Sequence, residues 1–428
     1  MEEKINVLIL GGGGREHAIA WKVCQSSSLN KLFVAPGNAG TQVVAINLDI
    51  KETDFLAIKS AVIEHDIHVL IVGPEAPLVK GIREYIESDL ETENVRIIGP
   101  SRAGAKLEGS KSYSKDFMQR HSIPTARYGK FNRDSIQSAK EFLSTMEAPY
   151  VLKADGLAGG KGVLILEDLK EAYQALEAML KDGKFGNAGE SIVIEEFLEG
   201  IELSVFLLTD GNEYVLFPSA KDYKRIGEGD TGLNTGGMGS ICPVPFADAE
   251  FMNKVKDRII NPTIKGFRSE GVEYVGFIFI GLMNVGGDPY VIEYNCRMGD
   301  PETESVMPRI KSDLLPILWQ CSGKELEEQT LEEIDQVVAS VMLVSGGYPE
   351  AYEKGKFIYG LNQVENSIVF HAGTKISEEH VVTNGGRVLT LTAFGQDLNQ
   401  ALAAAYNDAQ KVSFEAVYYR RDLGFDLN

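Results

Sequence analysis

The chain has 428 residues, 44% of them hydrophobic and 24% charged, with a formal net charge of −20. That length exceeds one compact core and predicts several domains, while the acidic surface disfavours nucleic acid, whose phosphates need a basic face. No apolar run approaches the roughly 18 residues that span a bilayer, and the stretch from Ile5 to Leu10 is too short for a signal-peptide core, so a cytoplasmic protein without membrane contact is expected.

The first apolar run reads as a buried parallel strand and leads at once into Gly11-Gly12-Gly13-Gly14-Arg15-Glu16-His17 and a helical segment. Strand, glycine turn and helix cradle an anion, because free backbone N–H groups and the helix dipole face the turn. A dinucleotide fingerprint fails here: Glu16 or His17 stands where a third glycine is needed. Two further strand–turn units follow, ending in Pro36-Gly37-Asn38-Ala39-Gly40-Thr41 and Gly73-Pro74-Glu75-Ala76. The first hundred residues thus read as a doubly wound domain whose turns hold a polar, phosphate-sized ligand, with simple turn shaping as the alternative.

A helix is predicted from Lys106 to Arg120, carrying Lys111, and then a strand ending in Lys153. The loop Ala154 to Gly162 holds Gly159, Gly160, Lys161 and Gly162 and returns as a second strand, not as the helix that a Walker loop requires. Such a hairpin can close over a triphosphate as a lid. The apolar run Ile192-Val193-Ile194 leads into Glu195, Glu196, Phe197 and Leu198, a hinge whose backbone could read an adenine edge, with Glu202 able to accept ribose hydroxyls. A long polar loop is expected over 221–239. Val291-Ile292-Glu293 then ends a buried strand that delivers Glu293, Asn295 and Arg297 to one place: two oxygens suited to magnesium and a guanidinium suited to phosphate. Cys24, Cys242, Cys296 and Cys321 lack metal spacing and read as reduced structural thiols.

EGSK at 108–111, KADGLAGGKGV at 153–163, VIEEFLEG at 193–200, DTGLNTGGMG at 230–239 and VIEYNCRMGDPET at 291–303 together resemble the ATP-grasp ligases. With GGGGREHA at 11–18, VAPGNAGT at 34–41 and VGPEAPLVKG at 72–81, the chain is similar over nearly its full length to the glycinamide ribonucleotide synthetase family. The resemblance implies an α/β and α+β multidomain fold. An N-terminal Rossmann-like domain would occupy 1–103, an ATP-grasp core 104–124 and 190–328, a lid subdomain 125–189, and a small strand-rich C-terminal domain 329–428.

It also implies ATP-dependent ligation of glycine to 5-phosphoribosylamine through an acyl phosphate, with one or two magnesium or manganese ions and ATP as co-substrate. Lys111 and Lys153 match nucleotide-phosphate lysines, Gly159 to Gly162 the phosphate lid, Glu195 to Leu198 the adenine hinge, and Glu202 the ribose carboxylate. Glu293 and Asn295 match metal ligands, and Arg297 the arginine facing the transferred phosphoryl group. Gly13, Gly14, Arg15, Glu16, Gly37, Asn38, Ala39, Gly40, Pro74 and Glu75 would hold the ribose phosphate; Asn234, Thr235, Gly236, Gly237 and Met238 would enclose glycine. Asp222 is a candidate proton acceptor or a structural loop aspartate. The run Phe277 to Met283 lacks the second metal carboxylate of many ATP-grasp enzymes. Lys375 and Arg387 are candidates for substrate contact, with surface charge as the favoured reading, and a monomer or weak dimer is expected. Two other readings compete: an ATP-grasp enzyme with a different acid or amine, and a non-catalytic nucleotide-binding or Rossmann-type redox protein.

Overall fold

In the computed structural model the described residues are 4–157, 162–181 and 190–427. The first sheet is wholly parallel, in the order Ile46–Asn47, Leu29–Pro36, Ile5–Gly11, Val69–Val72, Arg96–Ile98. Its central strand is buried at every position, which explains the unbroken apolar run: Leu8 and Leu10 enter one core, Val7 and Ile9 the other. Connections leave this strand toward opposite edges, and the three glycine- or proline-rich turns gather at the carboxyl ends, where such sheets bind ligands.

Residues 102–120 form two helices, Arg102–Gly109 and Lys111–Arg120, instead of the single predicted one. Ser110 breaks the run in extended conformation, and its hydroxyl accepts the Tyr113 N–H, a serine cap that restarts the helix with Lys111 in its first turn. An antiparallel sheet of Tyr214–Leu216, Ile201–Thr209, Gly276–Val285 and Asp288–Asn295 forms the centre of the molecule. A second antiparallel sheet runs Tyr128–Asn132, Ser191–Glu196, Tyr150–Ala154, Val163–Leu166. The helices Ile136–Ser144 and Leu169–Lys181 cover it and share its own core of Leu143, Leu152, Leu176, Met179 and Ile194.

The C-terminal sheet is ordered Lys221–Asp222, Gly239–Cys242, Val337–Val344, Arg387–Gly395, Ser367–His371. Two short strands from the middle of the chain therefore complete it, and the stretch expected as a polar loop is folded, with its own hairpin of Arg225–Gly227 and Thr231–Asn234. Among the described residues no helix is long and apolar enough to cross a membrane.

Candidate active site

Glu293 lies in the strand Asp288–Asn295, directly opposite Gly281 of the apolar neighbouring strand. A Cβ at Gly281 would stand 3.2 Å from Glu293 Cγ, so this strand supplies room and no second carboxylate. Burial works against ionisation of Glu293, but Lys224, Lys153, Lys111 and Arg297 outweigh it and hold its carboxyl below the ordinary value. Asn295 is buried two residues on; its Oδ1 accepts from Arg297 at 3.1 Å and its amide nitrogen has no partner.

Each cation has its own anchor. Lys153 Nζ lies 3.0 Å from Glu195 Oε2, and Lys115 Nζ lies 2.9 Å from the same oxygen. Lys115, one helical turn beyond Lys111, also donates to Thr125 at 2.7 Å; burial lowers it to about 8 despite Glu195. Lys224 donates to Glu202 at 2.7 Å. Asp155 accepts from the Ser112 N–H at 2.6 Å and from the Ser110 and Ser191 hydroxyls, tying the first turn of Lys111–Arg120 to the end of the Lys153 strand. Lys111 Nζ then reaches the Gly156 carbonyl at 3.5 Å. Arg297 Nη2 is 2.7 Å from Glu108 Oε1, and its Nε is 3.6 Å from Glu75.

The structure redistributes several expected roles. The Glu195 side chain turns toward the two lysines and Glu196 accepts the Arg127 N–H at 2.7 Å, so only the backbone of this segment is left to face a nucleotide, beside exposed Phe197 and half-buried Leu198. Gly162 accepts the Ala154 N–H at 2.8 Å; Gly159, Gly160 and Lys161 lie outside the described residues. In the first domain Glu16 closes its own turn, accepting from the Gly13 N–H at 2.7 Å and from Arg15 Nε at 2.8 Å. Arg15 donates onward to the Met298 carbonyl at 3.0 Å. Asn38 is fully engaged: its amide donates to the Gly12 and His371 carbonyls, and its oxygen accepts from Gly40 and Thr41, fixing Gly37 to Gly40 against the first turn. Ala39 is buried behind that turn, and Pro74 leads into the short helix that Glu75 begins.

Arg387 is not a surface charge. Its Nη1 donates to the carbonyls of Gly236 at 2.5 Å and Asp300 at 2.6 Å, and its Nη2 lies 3.0 Å from Asp300 Oδ1. Lys375 is exposed, as expected. The Asn234 to Met238 segment is built from its backbone: Thr235 bonds the Lys224 carbonyl, the Gly236 N–H reaches Tyr348, and Met238 packs into a small core with Met342 and Val344. Asp222 is buried beside Gly237 with one carboxyl oxygen unpartnered; burial, then neighbouring Glu302, hold it well above the carboxylate range. Gly237 has φ +121°, and a Cβ there would meet Pro301 Cδ at 2.3 Å and Asp222 Oδ1 at 2.6 Å. Gly237→Ala is expected to destabilise the fold by about 2 kcal/mol and to cut kcat/KM roughly tenfold or more, measured by thermal unfolding and steady-state assay.

Among the described residues no group of three or more His, Cys, Asp or Glu could hold a metal. Glu293 and Asn295 instead offer two side-chain oxygens beside cations that are held by other partners, which fits a magnesium-like ion whose remaining ligands are phosphate oxygens and water. Lys115, Lys224 and Glu108 receive no role from the sequence, whereas Arg387 is a candidate for substrate contact there; the EGSK motif, which holds Glu108, and the four-residue spacing from Lys111 to Lys115 are signals that could have found two of them.

A cationic pocket roofed by a strand–loop–strand sheet, around one strand-end carboxylate, defines an ATP-grasp ligase. Family models of phosphoribosylglycinamide synthetase match in three consecutive parts: the N domain over residues 5–108, the ATP-grasp (A) domain over 109–303 and the C domain over 338–426. The chain belongs to the phosphoribosylglycinamide synthetase family. The phosphoribosylamine–glycine ligase of Yersinia pestis is 44% identical over 427 residues, covering 98% of each chain. That of Chlorobaculum tepidum is 45% identical, covering 98% of this chain and 99% of its own. The crystal structure of the Thermotoga maritima phosphoribosylamine–glycine ligase superposes with a TM-score of 0.84 at 35% identity, covering 98% of this chain and 100% of that one.

Proposed function

We propose that this chain joins glycine to 5-phosphoribosylamine at the expense of ATP, giving glycinamide ribonucleotide, ADP and phosphate, a step of purine biosynthesis. The observation that carries this reading is the convergence of Lys111, Lys153, Lys224 and Arg297 on Glu293, opposite the glycine turns of the first domain. A carboxylate is a poor acyl donor, and transfer of the γ-phosphoryl group of ATP converts one of its oxygens into a leaving group. The protein must bring two anions together and neutralise them, which fixed lysines and an arginine do without reorganisation.

In this assignment Lys111 and Lys153 hold the nucleotide phosphates, and the role of phosphate lid falls to Gly159, Gly160, Lys161 and Gly162. The backbone of Glu195 to Leu198 faces the base and Glu202 the ribose. Glu293 and Asn295 would hold a magnesium or manganese ion, which when bound supplies Lewis-acid charge at the phosphate oxygens. Arg297, locked by Glu108, faces the transferred group. Glycine is placed against the glycine-walled segment Asn234 to Met238; Asp222, packed on Gly237 with its carboxyl held uncharged by burial, lines this wall as a structural aspartate and not as the amine's proton acceptor. The turns at Gly13 to Glu16, Gly37 to Gly40 and Pro74-Glu75 receive the ribose 5-phosphate. The domain limits 1–103, 104–124 with 190–328, 125–189 and 329–428 follow this division of labour. We place the enzyme in the cytoplasm as a monomer or weak dimer.

Purified protein with magnesium and ATP is expected to release phosphate when glycine and phosphoribosylamine are both supplied, and alanine is expected to support less than about 1% of that rate, on the reading that the glycine-walled segment Asn234 to Met238 leaves little room for a larger amino acid. Equal turnover with alanine, or none with glycine, would sink the assignment.

A further inference from the structure

Helix Glu302–Arg309 is buried along its whole length, packed against helix Gly14–Val23 and the strands Gly239–Cys242, Val337–Val344 and Arg387–Gly395. Its polar residues are mostly matched: Glu302 accepts from Ser204 at 2.8 Å, and Ser305 bonds Ser240 at 2.9 Å. Glu304 is the exception, 0% exposed and with no donor on either carboxyl oxygen. It presses on the first glycine turn, so that a Cβ at Gly14 would come within 2.1 Å of its Oε1. Asp300 also touches this turn: its Oδ2 accepts the Arg15 N–H at 3.4 Å, while its Oδ1 is paired with Arg387.

We propose that Glu304 is a positioning residue for the phosphoribosyl substrate, bracing Gly14 and the Asp300–Arg387 pair at the seam of the first and last domains, and that it does so only as an uncharged side chain. The role rests on reading the glycine turns as the seat of the ribose phosphate. A buried carboxylate without a donor is strongly disfavoured, whereas the neutral acid is tolerated. Burial first, then ionised Asp300, hold the Glu304 carboxyl well above its usual range; Glu302 adds to this and Arg387 opposes it. Asp300 is itself kept below its usual value, because Arg387 and Arg15 outweigh its burial. The two neighbouring acids are thereby split into one charged and one neutral partner.

The other titratable or charged groups on the packed elements are few. Arg15, Glu16, His17 and Lys22 lie on the facing helix; Arg15 and Glu16 pair with each other, and Lys22 bonds the Ile310 carbonyl. His17 is kept neutral by burial, pushed down to about 3. Arg309 on the same helix pairs with Glu333, and the three strands add only Arg387 and Cys242, whose thiol burial pushes up to about 12. Because the folded value of Glu304 is raised well above that of a free carboxyl, the neutral form persists above the usual carboxylate range and is lost as pH rises through the raised value. A second negative charge then appears beside Asp300 and under Gly14, and substrate affinity falls.

The test is calorimetric binding of glycinamide ribonucleotide from neutral to alkaline pH, with thermal unfolding as a check on folding. Wild type is expected to lose about tenfold more affinity over that range than Glu304→Gln, whose amide stays neutral, while the two agree within about twofold at neutral pH. Glu304→Ala, which removes the brace, is expected to bind about fivefold or more weakly at every pH. The ligand's own amine titrates alike in all three proteins, so the difference between curves reports Glu304. Identical pH profiles for wild type and the Gln variant, or a Gln variant as weak as the Ala variant, would overturn the inference alone. Failure of wild type to bind the ribonucleotide at all would overturn the functional reading and this role with it.

Discussion

Replacing Glu293 by glutamine is expected to lower turnover roughly 10²–10³-fold with little change in thermal stability, and to raise the magnesium concentration needed for half-maximal rate. Glutamine keeps the shape but removes the one negative charge toward which Lys224, Lys153, Lys111 and Arg297 converge. Without that charge the same cations oppose a metal ion at this position, and Asn295 alone would not offset them. Because the wild-type carboxyl is held below its ordinary value, its ionised form persists as pH falls and is lost only as pH drops through the lowered folded value. The variant should therefore lack the acid limb that Glu293 contributes. Phosphate release titrated with magnesium at several pH values measures both effects, and unchanged activity would place the metal elsewhere.

Glu195→Ala is expected to act on stability, lowering it by about 3–5 kcal/mol in urea unfolding, because it strands two buried lysines. The side chains of Lys115, Glu195 and Lys153 are 2%, 4% and 7% exposed, so water cannot replace the lost carboxylate. The deficit should narrow as pH rises. Lys115 is already brought down to about 8 by burial against the pull of Glu195, and without that pull it sheds its proton still more readily. A loss below about 1 kcal/mol would mean that the lysines find other partners. Nucleotide affinity should fall in parallel, since Lys153 loses its support.

The backbone framework was legible where local pattern decides structure. Ile5 to Leu10 and Val337 to Val344 are apolar runs that only a strand buried on both faces accommodates, and both are such strands. Glu293, Asn295 and Arg297 could be grouped because alternation along one strand end brings them together. What stayed hidden depends on contacts between distant segments. That the Glu195 side chain pairs with Lys115 could not be read from sequence, because the helix carrying that lysine lies 80 positions earlier. Arg387 looked more like a surface charge than a site residue, because its partners Gly236 and Asp300 lie 151 and 87 residues away. The break at Ser110 was missed although Gly109, a poor helix former, stands just before it; the glycine ends one helix and the serine cap starts the next.

The sheet of residues 128–196 has a core separate from those of the rest of the molecule, and its attachments to the body are polar: Lys115 with Glu195, Ser112 with Asp155, Lys130 with Asp116 and Tyr128 with Gln119. Swinging this sheet exposes little apolar surface and exchanges one set of ionic contacts for another. A polyanion arriving between the same lysines competes for those contacts, so the charge of the nucleotide itself can set the angle of the roof above it.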